Sequence, residues 1–125
     1  MATILIIEDS SYMRRLIRKI LDADHYEIIE ADNGLKGLQM AAQKTPDCIL
    51  LDLVMPEVDG LKILRLFQEQ KKGIPVIVVT ADIQETVRQQ CLDLGAIAFI
   101  NKPPRERELR ETIRKVLPSG KEENR

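Results

Sequence analysis

Tryptophan is absent and aromatic residues make up only 3% of the 125-residue chain. Any core must therefore be aliphatic, built from Ile, Leu, Val and Ala. Cysteine is scarce as well. The two present, Cys48 and Cys91, are too few for a disulfide framework and read as reduced thiols. The single histidine, His25, has no second histidine near it to complete a metal site, and it falls in an expected turn. No run of about 18 apolar residues occurs, which argues against a helical membrane span. Met1-Ala2-Thr3 leads directly into strand-like sequence with no basic region before it, so no secretory signal is expected. Charge of one sign is also lacking. With 19 basic and 20 acidic residues the net charge is −1, which disfavours the basic face that nucleic-acid binding needs. What remains is a cytoplasmic protein of one domain, long enough to bury a sizeable core.

Strand-like and helix-like runs alternate five times. Strands are expected at Thr3-Ile7, Glu27-Glu30, Cys48-Leu51, Val76-Thr80 and Ala96-Ile100. Three are near-continuous apolar runs, as suits parallel strands covered on both faces. Between them, apolar residues recur at helical spacing. Met13, Leu16, Ile17, Ile20 and Leu21 mark the first helix, and Leu35, Leu38, Ala41 and Ala42 the second. Leu61, Leu64 and Phe67 mark the third. Ile83, Val87, Cys91 and Leu94 mark the fourth, and Leu109, Ile113, Val116 and Leu117 the fifth. Pro46 and Pro75 halt the helices before strands three and four, Gly95 fits a helix C-cap, and Pro104 fits the first turn of the fifth helix. The pattern implies an α/β fold, a doubly wound five-stranded parallel sheet with five helices. Its strand order, 2-1-3-4-5, is adopted from the flavodoxin-like architecture rather than read from the residues. The domain is expected to span residues 1–117, with 118–125 a disordered polar tail.

Asp52 closes the apolar run Cys48-Ile49-Leu50-Leu51 and is followed by Leu53-Val54-Met55-Pro56-Glu57-Val58-Asp59-Gly60. A buried strand ending this way delivers its carboxylate to the sheet's C-terminal edge, where open α/β sheets bind ligands. Glu8-Asp9 follows the first strand and Lys102 the last, so both would meet Asp52 there. Three carboxylates held close repel one another and call for a cation. Oxygen donors without His or Cys suit Mg²⁺. Each residue also has a plainer reading. Asp9 suits a helix N-terminus, and a lone lysine is usually solvated. The conjunction carries the weight, and it describes a metal-assisted phosphoryl site.

Glu8-Asp9, Asp52 within its loop, Thr80-Ala81 and Lys102-Pro103 occur in an order and spacing that resembles the receiver domain of two-component response regulators, in a chemotaxis-like single-domain form. The likeness covers about Thr3 to Leu117. It implies Asp52 as phospho-acceptor, Asp9 as direct Mg²⁺ ligand, Glu8 as a ligand through water and Val54 as a carbonyl ligand. Thr80 and Lys102 would contact phosphoryl oxygens. Thr80 with Phe99 would form the switch, with the small Ala81 leaving room for the ring. The Lys102-Pro103 bond is a candidate cis bond. The side chains of Val54 and Asp82 would flank the path of the hydrolytic water and so tune the signal's lifetime. The donor would be a sensor histidine kinase, a phosphotransfer protein or a small phosphodonor. A protein target would read helix four, strand five and helix five, and a phosphatase is a further expected partner. The protein would be a signalling switch, not an enzyme beyond autophosphorylation and slow autodephosphorylation. The fifth helix carries Arg105, Glu106, Arg107, Glu108, Arg110, Glu111, Arg114 and Lys115, read as an exposed mixed-charge face.

Three other readings fit less well. A phosphohydrolase of the haloacid dehalogenase type needs an acid where Val54 stands. A flavodoxin-type carrier needs a phosphate loop where Glu8-Asp9 would repel the phosphate. A pseudo-receiver would not keep the acids and the lysine. The output after Leu117 is not readable, so a stand-alone regulator and a receiver from a longer chain both stay open.

Overall fold

The computed structural model describes residues 1–55, 59–70 and 73–117. The expected tail and the Pro56-Glu57-Val58 part of the Asp52 loop lie outside them. Five strands, β1 (Thr3–Ile7), β2 (Glu27–Ala31), β3 (Cys48–Leu51), β4 (Val76–Thr80) and β5 (Ala98–Asn101), alternate with five helices. The helices are α1 (Ser11–Leu21), α2 (Gly34–Lys44), α3 (Gly60–Gln70), α4 (Glu85–Asp93) and α5 (Glu106–Val116). All strand pairs are parallel and the order is β2-β1-β3-β4-β5, as expected. β3 and β4 are fully buried, which is why their sequences are unbroken apolar runs.

Alternate residues along the strands feed two aliphatic layers. One face puts Leu5, Ile7, Ile49, Leu51 and Val78 against α2, α3 and α4, through Ile63, Leu64, Phe67 and Cys91. The other puts Ile4, Ile6, Leu50, Ile77 and Val79 against α1 and α5, through Ile17, Leu21, Leu109 and Ile113. Local sequence sets the helix ends. Ser10 Oγ caps α1 by accepting from Met13 N–H at 3.2 Å, and Asn33 Oδ1 caps α2 by accepting from Lys36 N–H at 2.8 Å. After α4, Gly95 adopts φ +100°, while Gly95 N–H bonds Leu92 O and Ala96 N–H bonds Cys91 O. That paired closure ends the helix and needs a residue tolerant of positive φ.

Four expectations are corrected. β5 begins at Ala98 and not Ala96, because Gly95 and Ala96 are spent closing α4. Leu35 is 63% exposed, and Ala42 is exposed too, because α2 turns Gly34, Gly37 and Ala41 inward. A Cβ on Gly37 would meet Ile7 Cδ1 at 2.4 Å, so close packing and not apolar bulk defines that face. Ile83 is 81% exposed, two residues before α4 begins. Pro104 precedes α5, whose N-cap is Arg105, so it lies outside the first turn. His25 is an exposed turn residue at φ +59°.

Candidate functional site

Three site residues stand one position beyond a strand, and each is held by one further ladder bond. Glu8 N–H donates to Ala31 O at 3.0 Å, Asp52 N–H to Ile7 O at 3.0 Å, and Lys102 N–H to Thr80 O at 2.8 Å. The backbone therefore delivers these side chains to one edge in register. Lys102 Nζ lies 2.5 Å from Glu8 Oε1 and 3.2 Å from Asp52 Oδ1. Glu8 Oε2 accepts from Ser10 N–H at 3.1 Å, and Asp52 Oδ1 accepts from Val54 N–H at 3.3 Å. Glu8 and Asp52 are only 2% and 3% exposed, whereas Asp9 is exposed at the rim.

Burial sets the electrostatics. Desolvation, with the Asp52 charge behind it, pushes the Glu8 carboxyl up to about 7, against the pull of Lys102 and Ser10. Asp52 is raised as well, again by burial, and the Lys102 ammonium opposes the rise. Burial pulls Lys102 down, but the hydrogen bond to Glu8 and the two carboxylates outweigh it, so the ammonium is held more firmly than usual. The pocket thus concentrates negative charge that a single lysine does not fully offset.

Carboxylate oxygens of Glu8, Asp9 and Asp52 come within 4.8 Å of one another. An oxygen-only set of this charge, open to water through Asp9, fits Mg²⁺, which keeps part of its hydration shell. The other expected residues lie around this centre. Thr80 is fully buried, and its Oγ1 accepts from Asp82 N–H at 3.2 Å. Asp82 Oδ1 accepts in turn from Gln84 N–H at 2.9 Å. Ala81 is exposed and the Val54 side chain is 66% exposed. Phe99 pairs with Val78, two residues before Thr80, and packs partly buried on the core. Phe99, Asn101, Lys102 and Pro103 line one side of a 430 Å³ cavity completed by Arg105 and Glu108. The Lys102-Pro103 bond is cis.

The sequence reading missed two supports. Ser10 both caps α1 and donates its N–H to Glu8. Arg14 reaches back from α1 to the carbonyls of Glu8 and Asp9, at 2.7 and 3.3 Å. The available signal was an arginine in the first turn after an acidic pair, since helical side chains lean toward the N-terminus.

A family model described as the response regulator receiver domain matches residues 4–114. The chain belongs to the response regulator receiver family. The receiver is 40% identical, over 109 residues, to the transcriptional regulatory protein SrrA of Staphylococcus aureus. That match covers 86% of the receiver but 45% of SrrA, so the chain spans about half the length of the curated relatives it matches. Among solved structures, chemotaxis protein CheY4 of Vibrio cholerae superposes with a TM-score of 0.85 at 28% identity, covering 94% of this chain and 99% of that one. The receiver domain of a signal transduction histidine kinase from Syntrophus aciditrophicus gives a TM-score of 0.85 at 30% identity, covering 94% of this chain and 90% of that one. Receivers are phosphorylation-activated signalling switches of two-component systems. They take their phosphoryl group from histidine kinases and use Mg²⁺ at an acidic pocket. Among the described residues no helix is long and apolar enough to cross a membrane.

Proposed function

We propose that residues 1–117 are a receiver that accepts a phosphoryl group on Asp52 in a Mg²⁺-dependent reaction. The observation that carries this is Asp52 itself, a buried carboxylate 3.2 Å from Lys102 and within one acidic cluster with Glu8 and Asp9. Asp9, Asp52 and the Val54 carbonyl would hold the ion directly, and Glu8 would hold it through water. When bound, Mg²⁺ neutralises charge on the transferring phosphoryl oxygens. An Asp52 oxygen attacks phosphorus and the bond to the donor breaks. The leaving group is the imidazole of a kinase or phosphotransfer histidine, or acetate from acetyl phosphate. Lys102 supplies a compact positive charge that can move from Glu8 to the new phosphoryl oxygens. Thr80 contributes its hydroxyl proton to a phosphoryl oxygen, since the Oγ1 lone pair that accepts from Asp82 N–H leaves the O–H free to donate.

Phosphorylation would then bias a two-state element. Thr80 would move inward, Phe99 would follow, and α4, β5 and α5 would present a changed surface to a downstream protein. The exposed Ala81 places no bulk in the way of that motion. A cytoplasmic location and a separate phosphatase fit the same reading. Similar proteins serve different outputs: SrrA is a transcriptional regulatory protein and CheY4 a chemotaxis protein.

The test is intact-protein mass after incubation with acetyl phosphate. One phosphoryl group should be gained with Mg²⁺, none with chelator, and none in Asp52→Asn. Modification of Asp52→Asn would move the acceptor elsewhere.

A further inference from the structure

The turn that carries Glu8 and Asp9 has no regular structure of its own, yet its two carboxylates must be aimed before an ion can join them. Its backbone carbonyls point at one side chain. Arg14 Nη1 bonds Glu8 O at 2.7 Å and Asp9 O at 3.3 Å, while Nε bonds Glu30 Oε1 at 3.0 Å. Arg18, one turn further along α1, takes the other oxygen of Glu30 through Nε at 3.0 Å and Nη2 at 2.6 Å. Glu30 lies in β2, the strand paired with β1. Desolvation would raise the Glu30 carboxyl, but Arg18 and then Arg14 outweigh it, and the group is held below its usual range. The Arg14 side chain is only 19% exposed.

We infer that Arg14 is a positioning residue for the acidic pocket: it locks the Glu8-Asp9 turn through its two carbonyls, and Glu30 in β2 locks Arg14. Tying consecutive carbonyls fixes the peptide planes on both sides of Asp9, and with them the directions in which the Glu8 and Asp9 side chains leave the chain. A guanidinium can do this because its fork serves a carboxylate and a carbonyl pair at once. An ammonium on a flexible stem cannot span both. The electrostatic effect of Arg14 on the pocket has the opposite sign, since a nearby cation opposes Mg²⁺. That effect is muted because Glu30 already faces the charge at 3.0 Å. Orientation therefore dominates, and loss of Arg14 lowers affinity for the ion.

The inference rests on the pocket binding Mg²⁺, and the experiment separates the two. Mg²⁺ alone is titrated calorimetrically into wild type, Asp9→Asn, Arg14→Met, Arg14→Lys, Glu30→Gln and Arg18→Met, with the melting temperature of each recorded. Wild type should bind and Asp9→Asn should lose most of that binding. If wild type does not bind, the metal reading fails and the positioning role falls with it. Arg14→Met should weaken binding by about tenfold, the scale of groups that orient metal ligands. Arg14→Lys should not restore it, and Glu30→Gln should weaken it in the same direction. Arg18→Met touches Glu30 but not the turn, so it should stay within about twofold of wild type. Binding that is unchanged or tighter in both Arg14→Met and Glu30→Gln, beside normal wild-type binding, overturns the inference and leaves Arg14 a purely structural ion pair. Glu30→Gln preserves side-chain shape and keeps the test open if Arg14→Met folds poorly.

Discussion

Lys102 Nζ stands closer to Glu8, at 2.5 Å, than to Asp52, at 3.2 Å. In this state the ammonium occupies part of the space where three carboxylates would otherwise gather a divalent cation. In the proposed site it would compete with the metal as well as contact the phosphoryl group. Lys102→Ala should therefore bind Mg²⁺ more tightly, by about tenfold, or about 1.4 kcal/mol. The same variant should accept a phosphoryl group yet fail to pass the change to α4, β5 and α5. Calorimetric titration and chemical-shift mapping with a phosphoryl mimic measure the two halves. Weaker Mg²⁺ binding would contradict the role.

Asp24 gives a second, independent prediction. It is 4% exposed, and Arg110 of α5 grips it through Nε at 2.9 Å and Nη2 at 3.1 Å, with Arg114 at 3.3 Å. The Arg110 hydrogen bond leads in holding the Asp24 carboxyl below its ordinary value of 3.8. A carboxylate with a depressed folded-state value stabilises the protein above about pH 4, and that contribution is lost as the pH falls through the depressed value. Asp24→Asn should melt at a lower temperature than wild type at pH 7. The gap should narrow below pH 4, because only wild type loses the ion pair there. A gap independent of pH between 7 and 2.5 would sink the idea.

That pair also marks where sequence reasoning stops. Asp24 and Arg110 are 86 positions apart, and nothing local announces their contact. Arg110 and Arg114 read as exposed charge because α5 has a charged stripe, yet both turn under toward the end of α1. Glu8, Asp52 and Lys102 were legible for the opposite reason. Glu8 and Asp52 close apolar runs and Lys102 follows one after a single residue, and parallel pairing brings such strand ends to one edge whatever the loops do. The faces of α2 and α4 were misjudged at Leu35 and Ile83 because apolar periodicity counts large residues. It does not see Gly34 and Gly37, which let α2 pack closely on Ile63 of α3 and Ile7 of β1. Arg14 escaped because two of its partners are backbone carbonyls and the third, Glu30, lies 16 positions away in β2.

Gly60 links fold to chemistry. It opens α3, and its N–H donates to Leu53 O at 3.1 Å, closing the loop that leaves Asp52. A Cβ there would lie 2.4 Å from Leu53 Cα and 2.5 Å from Leu53 O. Both are backbone atoms next to Asp52, the proposed phospho-acceptor, and cannot move aside cheaply. Gly60→Ala should cost about 2 kcal/mol or more in denaturant unfolding. It should also slow acetyl phosphate labelling of Asp52 severalfold. Gly73→Ala is the control for space, since nothing lies within 4 Å of a Cβ there, although its φ of +70° carries a strain of its own. If Gly60→Ala labels Asp52 at the wild-type rate, the close approach has no bearing on the site.

We propose that the side chains of Val54 and Asp82 set how long the signal lasts. Val54 stands two residues beyond Asp52 with its side chain 66% exposed, and Asp82 stands two beyond Thr80. In the proposed receiver these positions would flank the in-line approach of water to the phosphoryl group. Valine cannot hydrogen-bond that water, and its branched methyls shield the path. The Asp82 carboxylate is engaged, accepting from Gln84 N–H at 2.9 Å, so it is drawn back along the β4–α4 loop. Neither side chain is placed to orient a nucleophile, so phospho-Asp52 is expected to be long-lived. The energetic demand is modest, since a tenfold change in lifetime needs about 1.4 kcal/mol of barrier, within the range of one hydrogen bond. Val54→Asn should shorten the lifetime by about tenfold while labelling by acetyl phosphate changes little. Asp82→Ala should change it less, because the carboxylate is already tied. Decay of phospho-Asp52 at fixed Mg²⁺ and pH measures both. Decay equal within about twofold in all three proteins would remove these positions from the account and assign the lifetime to a separate phosphatase.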